Sequence, residues 1–147
     1  MRDINLALRT AYIEALTTPA ISYNGNPVPV WYGEIPDGLE EENYIIIGQI
    51  SNDDASCKYK NGTDTTIMVA IHTYSKRYNN GDAADYIAGE VLKRIIPADK
   101  KQIDLSASNL TCITTELDGD FTQDYSQQGV RQYIDRSLTI RHKIFQG

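Results

Sequence analysis

The sequence predicts an α+β domain: a mostly antiparallel sheet with two helices packed on one face, in the order α-β-β-β-α-β-β. Three observations predict it. Two segments space their apolar residues at the helical period, and five others are β-branched or alternating in the manner of strands. Short turn signals join most of the strands, which favours antiparallel neighbours. The chain has 147 residues, the size of one domain, and we expect residues 1–147 to form a single one. At this length roughly 68–70% of the unfolded chain's surface is buried on folding, so a core needs no metal or disulfide.

The first helix is expected from about Ile4 to Leu16. Asp3 precedes it as an N-cap, because its carboxylate accepts an orphan backbone N–H of the first turn. Ile4, Leu8, Ala11, Tyr12 and Ala15 make one apolar stripe, and Thr17, Thr18 and Pro19 end it. Residues 22–29 then turn, most tightly at Asn24-Gly25.

Val28 to Ile35 reads as a short strand, with Pro29 favouring a sheet edge. A turn at Pro36-Asp37-Gly38 and the acidic run Glu40-Glu41-Glu42 lead to a second strand, Tyr44 to Ile50. Its continuous apolar centre predicts burial on both faces. Asp53 to Thr63 is polar and reads as an excursion at a hairpin end. Thr65 to Tyr74 is a strand with Ile67, Val69 and Ile71 on one face and Met68, Ala70, His72 and Tyr74 on the other.

Asn79-Asn80-Gly81 breaks the chain before a second helix, about Asp82 to Ile95. Its stripe is Ala84, Ile87, Ala88, Val91 and Ile95. Asp82 and Asp85 lie in its first turn and Lys93 and Arg94 in its last, as the helix dipole favours. Leu110 to Leu117 is the next strand, and Asp118-Gly119-Asp120 opens a polar loop to Gly129. The last strand, Arg131 to Phe145, places Ile134, Leu138, Ile140 and Ile144 on one face, interrupted by Arg136 and His142. At ~3.4 Å per residue it reaches about 50 Å, so we expect it to bend or to leave the domain at one end.

Composition narrows the function. Hydrophobic residues make up 41% and charged residues 23%, ordinary for a globular protein. No run approaches the ~20 apolar residues that span a bilayer, and Met1 to Thr10 hold no apolar signal-like segment. Residues 1–54 carry nine acids against two bases and residues 55–147 eleven against twelve, for a formal charge of −6. A basic footprint for nucleic acid is absent. Ten of thirteen aromatics are Tyr, which suits half-buried sheet faces and subunit contacts alike.

No constellation for catalysis or cofactor binding is legible. The cysteines, Cys57 and Cys112, form no CxxC pair and read as free thiols. The histidines, His72 and His142, lie in separate strands without partners at ligand spacing and read as sheet residues. Phosphate-cradling glycine motifs and a G-x-S-x-G elbow do not occur. Asp118, Asp120 and Asp124 cluster as an oxygen-rich group but miss the EF-hand pattern, so a solvated loop is expected. The sequons at Asn61 and Asn109 read as chance. We therefore expect no enzyme activity, no cofactor and no metal.

Several local patterns, taken in order, resemble the tail-terminator and tail-completion proteins of tailed phages. Val28-Pro29-Val30-Trp31-Tyr32-Gly33-Glu34-Ile35-Pro36-Asp37-Gly38 followed by Tyr44-Ile45-Ile46-Ile47-Gly48 resembles that family's first strand pair. Thr73-Tyr74-Ser75-Lys76-Arg77 before Ala84-Asp85-Tyr86-Ile87-Ala88 is similar to its strand tip and second helix, and Gly129-Val130-Arg131 leads into a similar final strand. The resemblance implies a virion protein that forms a ring of six or twelve copies in the neck or tail. Its partners would be portal or head-completion proteins above and tail proteins below, with genomic DNA passing through the lumen without sequence-specific binding and no membrane involved. The protein would be made in the host cytoplasm.

For axial contacts with adjoining rings the residues to watch are Asp53, Asp54, Lys58, Tyr59 and Lys60 in one loop and Asp118, Asp120, Phe121 and Tyr125 in the other. Glu40 to Glu42 are candidates for a channel-facing or intersubunit surface. Two other classes stay open. A small cytoplasmic enzyme built on scattered acids and Tyr predicts a concave pocket with a perturbed ionisable group. A monomeric peptide-binding adaptor predicts one exposed edge strand and 1:1 complexes.

Overall fold

The computed structural model describes residues 3–33, 42–75, 81–125 and 132–146. The turn expected at Pro36–Gly38, the acidic residues Glu40 and Glu41, the break at Asn79–Asn80 and the approach Gly129–Arg131 lie outside them. Among the described residues, two α-helices and seven strands follow in the order α1 (Ile4–Thr17), β1 (Ser22–Tyr23), β2 (Asn26–Pro27), β3 (Val30–Tyr32), β4 (Asn43–Asp54), β5 (Gly62–Ser75), α2 (Asp82–Ile95), β6 (Leu110–Asp124) and β7 (Gln132–Gln146). The main sheet runs β3-β4-β5-β7-β6, antiparallel except for the parallel pair β3–β4. The expected α+β class and element order hold in this sheet, with the β1–β2 hairpin added.

Both helices obey their sequence signals. Asp3 caps α1, its Oδ1 accepting Asn5 N–H at 2.9 Å. Of the expected stripe Ile4, Leu8 and Tyr12 are buried and Ala11 and Ala15 are packed against the core, while Ala7 and Leu16 join it. The α2 stripe is buried in full. Its N-cap, Gly81, takes φ 76°, a backbone conformation that glycine adopts at little cost.

The turn at Asn24-Gly25 is a two-residue hairpin loop. Both residues have positive φ, 50° and 80°, as a type I′ turn between two antiparallel strands requires. It joins β1 to β2 and brings Ile21 and Val28 into the core.

Three strand expectations need correction, and the one for the last strand is narrowed. Of the strand expected over Val28–Ile35, the described residues form strand at Val30–Tyr32, on the sheet edge that Pro29 favours, and it runs parallel to β4. Strand β4 is not covered on both faces: Ile45 and Ile47 are fully buried but Ile46 is only half-buried, because both helices lie on one side. The strand also continues through the acidic pair to Asp54. The loop expected over Asp118–Gly129 is strand as far as Asp124, because β7 supplies a hydrogen-bonding partner along that whole stretch. Asp118-Gly119 is absorbed as a bulge in the ladder between Leu117 and Gly119, as Gly in a strand often is. Strand β7 neither leaves the domain nor lacks partners, since β5 and β6 pair with it on its two sides.

The core lies between the helices and one sheet face. Ile67, Val69 and Ile71 of β5 and Leu138, Ile140 and Ile144 of β7 are fully buried there, each worth roughly 1.5–3 kcal/mol of transfer free energy. The opposite face carries Tyr44, Ile46, Met68, Ala70, His72 and Tyr74 at intermediate exposure. No described element covers it.

Candidate interaction surfaces and a buried polar chain

The residues singled out for axial contacts fall in two groups at different places on the sheet. The β4–β5 turn defines one end, here the near end. Asp53 pairs with Asp64 and Asp54 with Thr63 in the ladder, so both acids belong to the strand. Beyond them Asp54 Oδ1 accepts Ser56 N–H at 3.0 Å, and hydrogen bonds from Ser56 hold this carboxyl below the usual carboxylate range. Cys57 N–H donates to Lys60 O at 2.9 Å and tightens the tip. Tyr59 projects from it at 84% exposure, with Lys58 Nζ 5.6 Å from its ring centre. Backbone N–H groups of Tyr59 and Lys60 lower the pKa of the exposed Cys57 thiol.

The second group follows β6 away from the near end. Asp118 sits mid-strand, where Arg141 bonds Glu116 at 3.0 Å and approaches Asp118 at 4.0 Å. Asp120 faces the other way, paired with Leu138 in the ladder, and takes a forked bond from Arg136 at 2.9 and 2.6 Å. These Arg136 bonds lower the Asp120 pKa, and Arg136 also reaches Asp85 of α2 at 3.0 Å. Asp118 and Asp120 thus serve different arginines and do not converge on a shared point. Among the described residues no cluster of His, Cys, Asp or Glu is arranged to hold a metal.

Phe121, 62% exposed, and Tyr125 lie on the open face toward the far end. They extend an aromatic patch that the sequence reading did not assemble. Tyr74 and Tyr133 meet across β5 and β7 with ring centres 4.8 Å apart. Tyr44 stacks on His72 at 5.0 Å, and His72 Nδ1 contacts Asp135 at 2.9 Å. Cross-strand register, which sequence alone does not fix, creates these pairs.

The second histidine has different surroundings. His142 is fully buried. Its Nε2 lies 2.5 Å from Tyr12 Oη and its Nδ1 2.9 Å from Thr115 Oγ1. Thr115 in turn donates to Gln102 Oε1 at 2.5 Å. That last bond consumes the Thr115 proton, so Nδ1–H must be the donor to Thr115, and the Tyr12 hydroxyl donates to the bare Nε2. Every member is then neutral. Burial holds it so, lowering the His142 pKa to about 4 and raising that of Tyr12 well above its usual value. The buried Cys112 thiol, 3.5 Å from Nδ1, is pushed up by burial as well, which disfavours the reactive thiolate.

Depressions lie among the described residues toward both ends of the sheet. One, of about 300 Å³, lies between the C-terminal end of α2, residues 97–102 and the start of β6, with Ile113, Lys100 and Lys101 in its wall. Another, of about 110 Å³, is more polar and lies between the β1–β2 hairpin and the far end, with Asn43 and Tyr74 in its wall. No helix among the described residues is long and apolar enough to cross a membrane.

No family model and no curated protein matches the sequence. Among solved structures, the fold is shared with a chain of the virion of a native gene transfer agent (GTA) particle, with a TM-score of 0.57 and 18% identity. The match covers 95% of this chain and 90% of that one.

Proposed function

We propose that this chain is a structural virion protein that forms a ring of six or twelve copies in a phage neck or tail. The ring would join portal or head-completion proteins above to tail proteins below and let genomic DNA pass through its lumen. The observation that carries the reading is the end-to-end fold likeness to a chain of a GTA virion, at high coverage of both chains. The arrangement of surfaces supports it. The near-end group around Tyr59 and the β6 group reaching Tyr125 lie toward different ends of one sheet, as contacts to rings above and below require. The formal charge of −6 suits a channel through which DNA slides rather than sticks.

An enzyme reading finds less support. The one histidine with a large shift is sealed in the core with both ring nitrogens engaged. Native mass spectrometry and electron microscopy of the purified protein, alone and with neck and tail proteins, test the ring. The expected result is a closed homo-oligomer of six or twelve copies. A monomer at all concentrations that binds none of those partners would overturn the proposal.

A further inference from the structure

Among the described residues, β4 has a stretch of edge at the near end with no strand beside it, and β6 has no strand along its outer side. Strand β3 pairs with β4 only at Ile45–Ile47. Among the described residues, no strand pairs with the outer side of β4 from Gly48 to Asp54. At the opposite edge, β6 has β7 on one side and no described strand on the other. Strand β4 runs toward the near end and β6 runs away from it. Two copies placed side by side with their helix layers aligned therefore bring these stretches together as antiparallel neighbours, a geometry that forms ladder hydrogen bonds.

The side chains flanking the two edges are complementary. Beside the β4 edge, Asn5 of α1 bonds Asn52 at 2.6 Å and Arg9 lies over the Tyr32 ring at 4.0 Å. Leu6 follows Asn5 about 100° further round the helix and is 56% exposed. Asp54 ends the same edge on the helix side of the sheet, paired with the buried Thr63. Beside the β6 edge, also on the helix side, lies the 300 Å³ depression. Ile95, Ile96 and Ile113 give it an apolar wall, and Lys100 and Lys101 are its charged residues. Asp99 and Asp104 flank those lysines in sequence but do not line it.

We propose that the β4 edge of one copy docks on the β6 edge of the next, with Leu6 seated in the apolar depression and Asp54 facing Lys100 and Lys101. The contact is head-to-tail, so repeating it closes a ring when the rotation per copy allows. This inference rests on the ring reading above and names the surface that would build it.

The test is a charge-swap series read by native mass spectrometry and sedimentation at about 0.15 M salt. Wild type, D54K, K100E/K101E, the triple combination and L6D are compared, with far-UV circular dichroism confirming that each is folded. We expect D54K and K100E/K101E each to raise the concentration needed for assembly by ~10-fold or more, because like charges then face each other. The triple combination should recover much of the loss. L6D should weaken assembly at high and low salt alike, and it supplies an arm that leaves the strands and the turn at Ser56 untouched. If wild type forms rings and these variants form them equally well, the docking surface is wrong while the ring reading stands. If wild type stays monomeric, both fail. If assembly begins only when a different virion protein is added, that protein and not a second copy occupies the edge, and the inference is overturned.

Discussion

Tyr12 of α1 and His142 of β7, separated by 130 positions in sequence, share a 2.5 Å hydrogen bond inside the core. Their rings meet edge to face with centres 5.6 Å apart. The pair ties α1 to β7 through polar atoms inside the core. A buried imidazole is tolerated there because Tyr12 and Thr115 satisfy its two nitrogens.

Replacing Tyr12 with Phe keeps the ring and removes the donor. His142 Nε2 is then left without a partner in a closed core. We expect a loss of about 1–3 kcal/mol in unfolding free energy, the usual cost of a stranded buried polar group. Urea denaturation at pH 7 measures it. A midpoint equal to wild type would show that the bond contributes nothing.

The same histidine makes stability depend on acid. Its pKa is lowered from 6.5 to about 4 in the folded state, so between those values the unfolded chain binds the proton and the folded chain does not. The contribution is fully present above pH 6.5 and is lost as pH falls toward 4. At about 1.4 kcal/mol per unit it amounts to roughly 3 kcal/mol. Urea midpoints at pH 7, 5.5 and 4 should fall steadily in wild type and fall less in His142→Gln. Parallel curves for the two proteins would remove His142 as the cause.

Arg136 and Arg141 both contact two carboxylates, yet they should differ in worth. Arg136 is mostly shielded and binds Asp120 with both arms of its fork while reaching Asp85 on α2. Its replacement by Met is expected to cost about 1–2 kcal/mol, since charge-assisted bonds are broken across three elements. Arg141 is more exposed and its pairs lie on the surface, so Arg141→Met should leave the melting curve nearly unchanged. Thermal melts of the two variants side by side decide the matter, and equal shifts would contradict this ranking.

Gly62 has no room for a side chain. A Cβ there would lie 2.5 Å from Phe145 Cε1 and 3.2 Å from Ala55 O. Gly62→Ala should therefore destabilise the near end by about 1–3 kcal/mol, the usual range for overpacking. Pairing it with Phe145→Ala should recover part of the loss, because the ring is the closer obstacle. A double-mutant cycle with strictly additive terms would mean that the strain lies elsewhere.

The proposed axial surfaces make a separate prediction. Tyr59→Ser and Phe121→Ser change exposed side chains and should leave stability within about 0.5 kcal/mol of wild type. In the proposed assembly they should leave ring formation intact and weaken attachment to adjoining virion proteins. Co-sedimentation with those proteins reads the difference, and undiminished attachment of both variants would remove these residues from the axial contacts.

Much of this fold was legible in the sequence because the signals are local. The α2 stripe, its acidic first turn and basic last turn, and the break at Gly81 mark that helix at its observed bounds. Asp3 marks the start of α1. Alternation in β5 separates Ile67, Val69 and Ile71 from Met68, Ala70 and His72 as the sheet does. The errors fall where a partner, not the segment itself, sets the outcome. Asp118-Gly119-Asp120 has turn chemistry, but β7 holds it in a strand.

Sequence by itself determined the two amphipathic helices, the faces of β5, the turn at Asn24-Gly25 and the lack of a recognisable catalytic motif. Those follow from periodicity, capping and backbone preference, which act over a few residues. Tertiary structure alone decided the strand order, the meeting of Tyr12 with His142, and the opposite running directions of β4 and β6. Each depends on register between segments far apart in the chain. Register is fixed by the joint packing of helices and sheet around the shared core, which no single segment encodes.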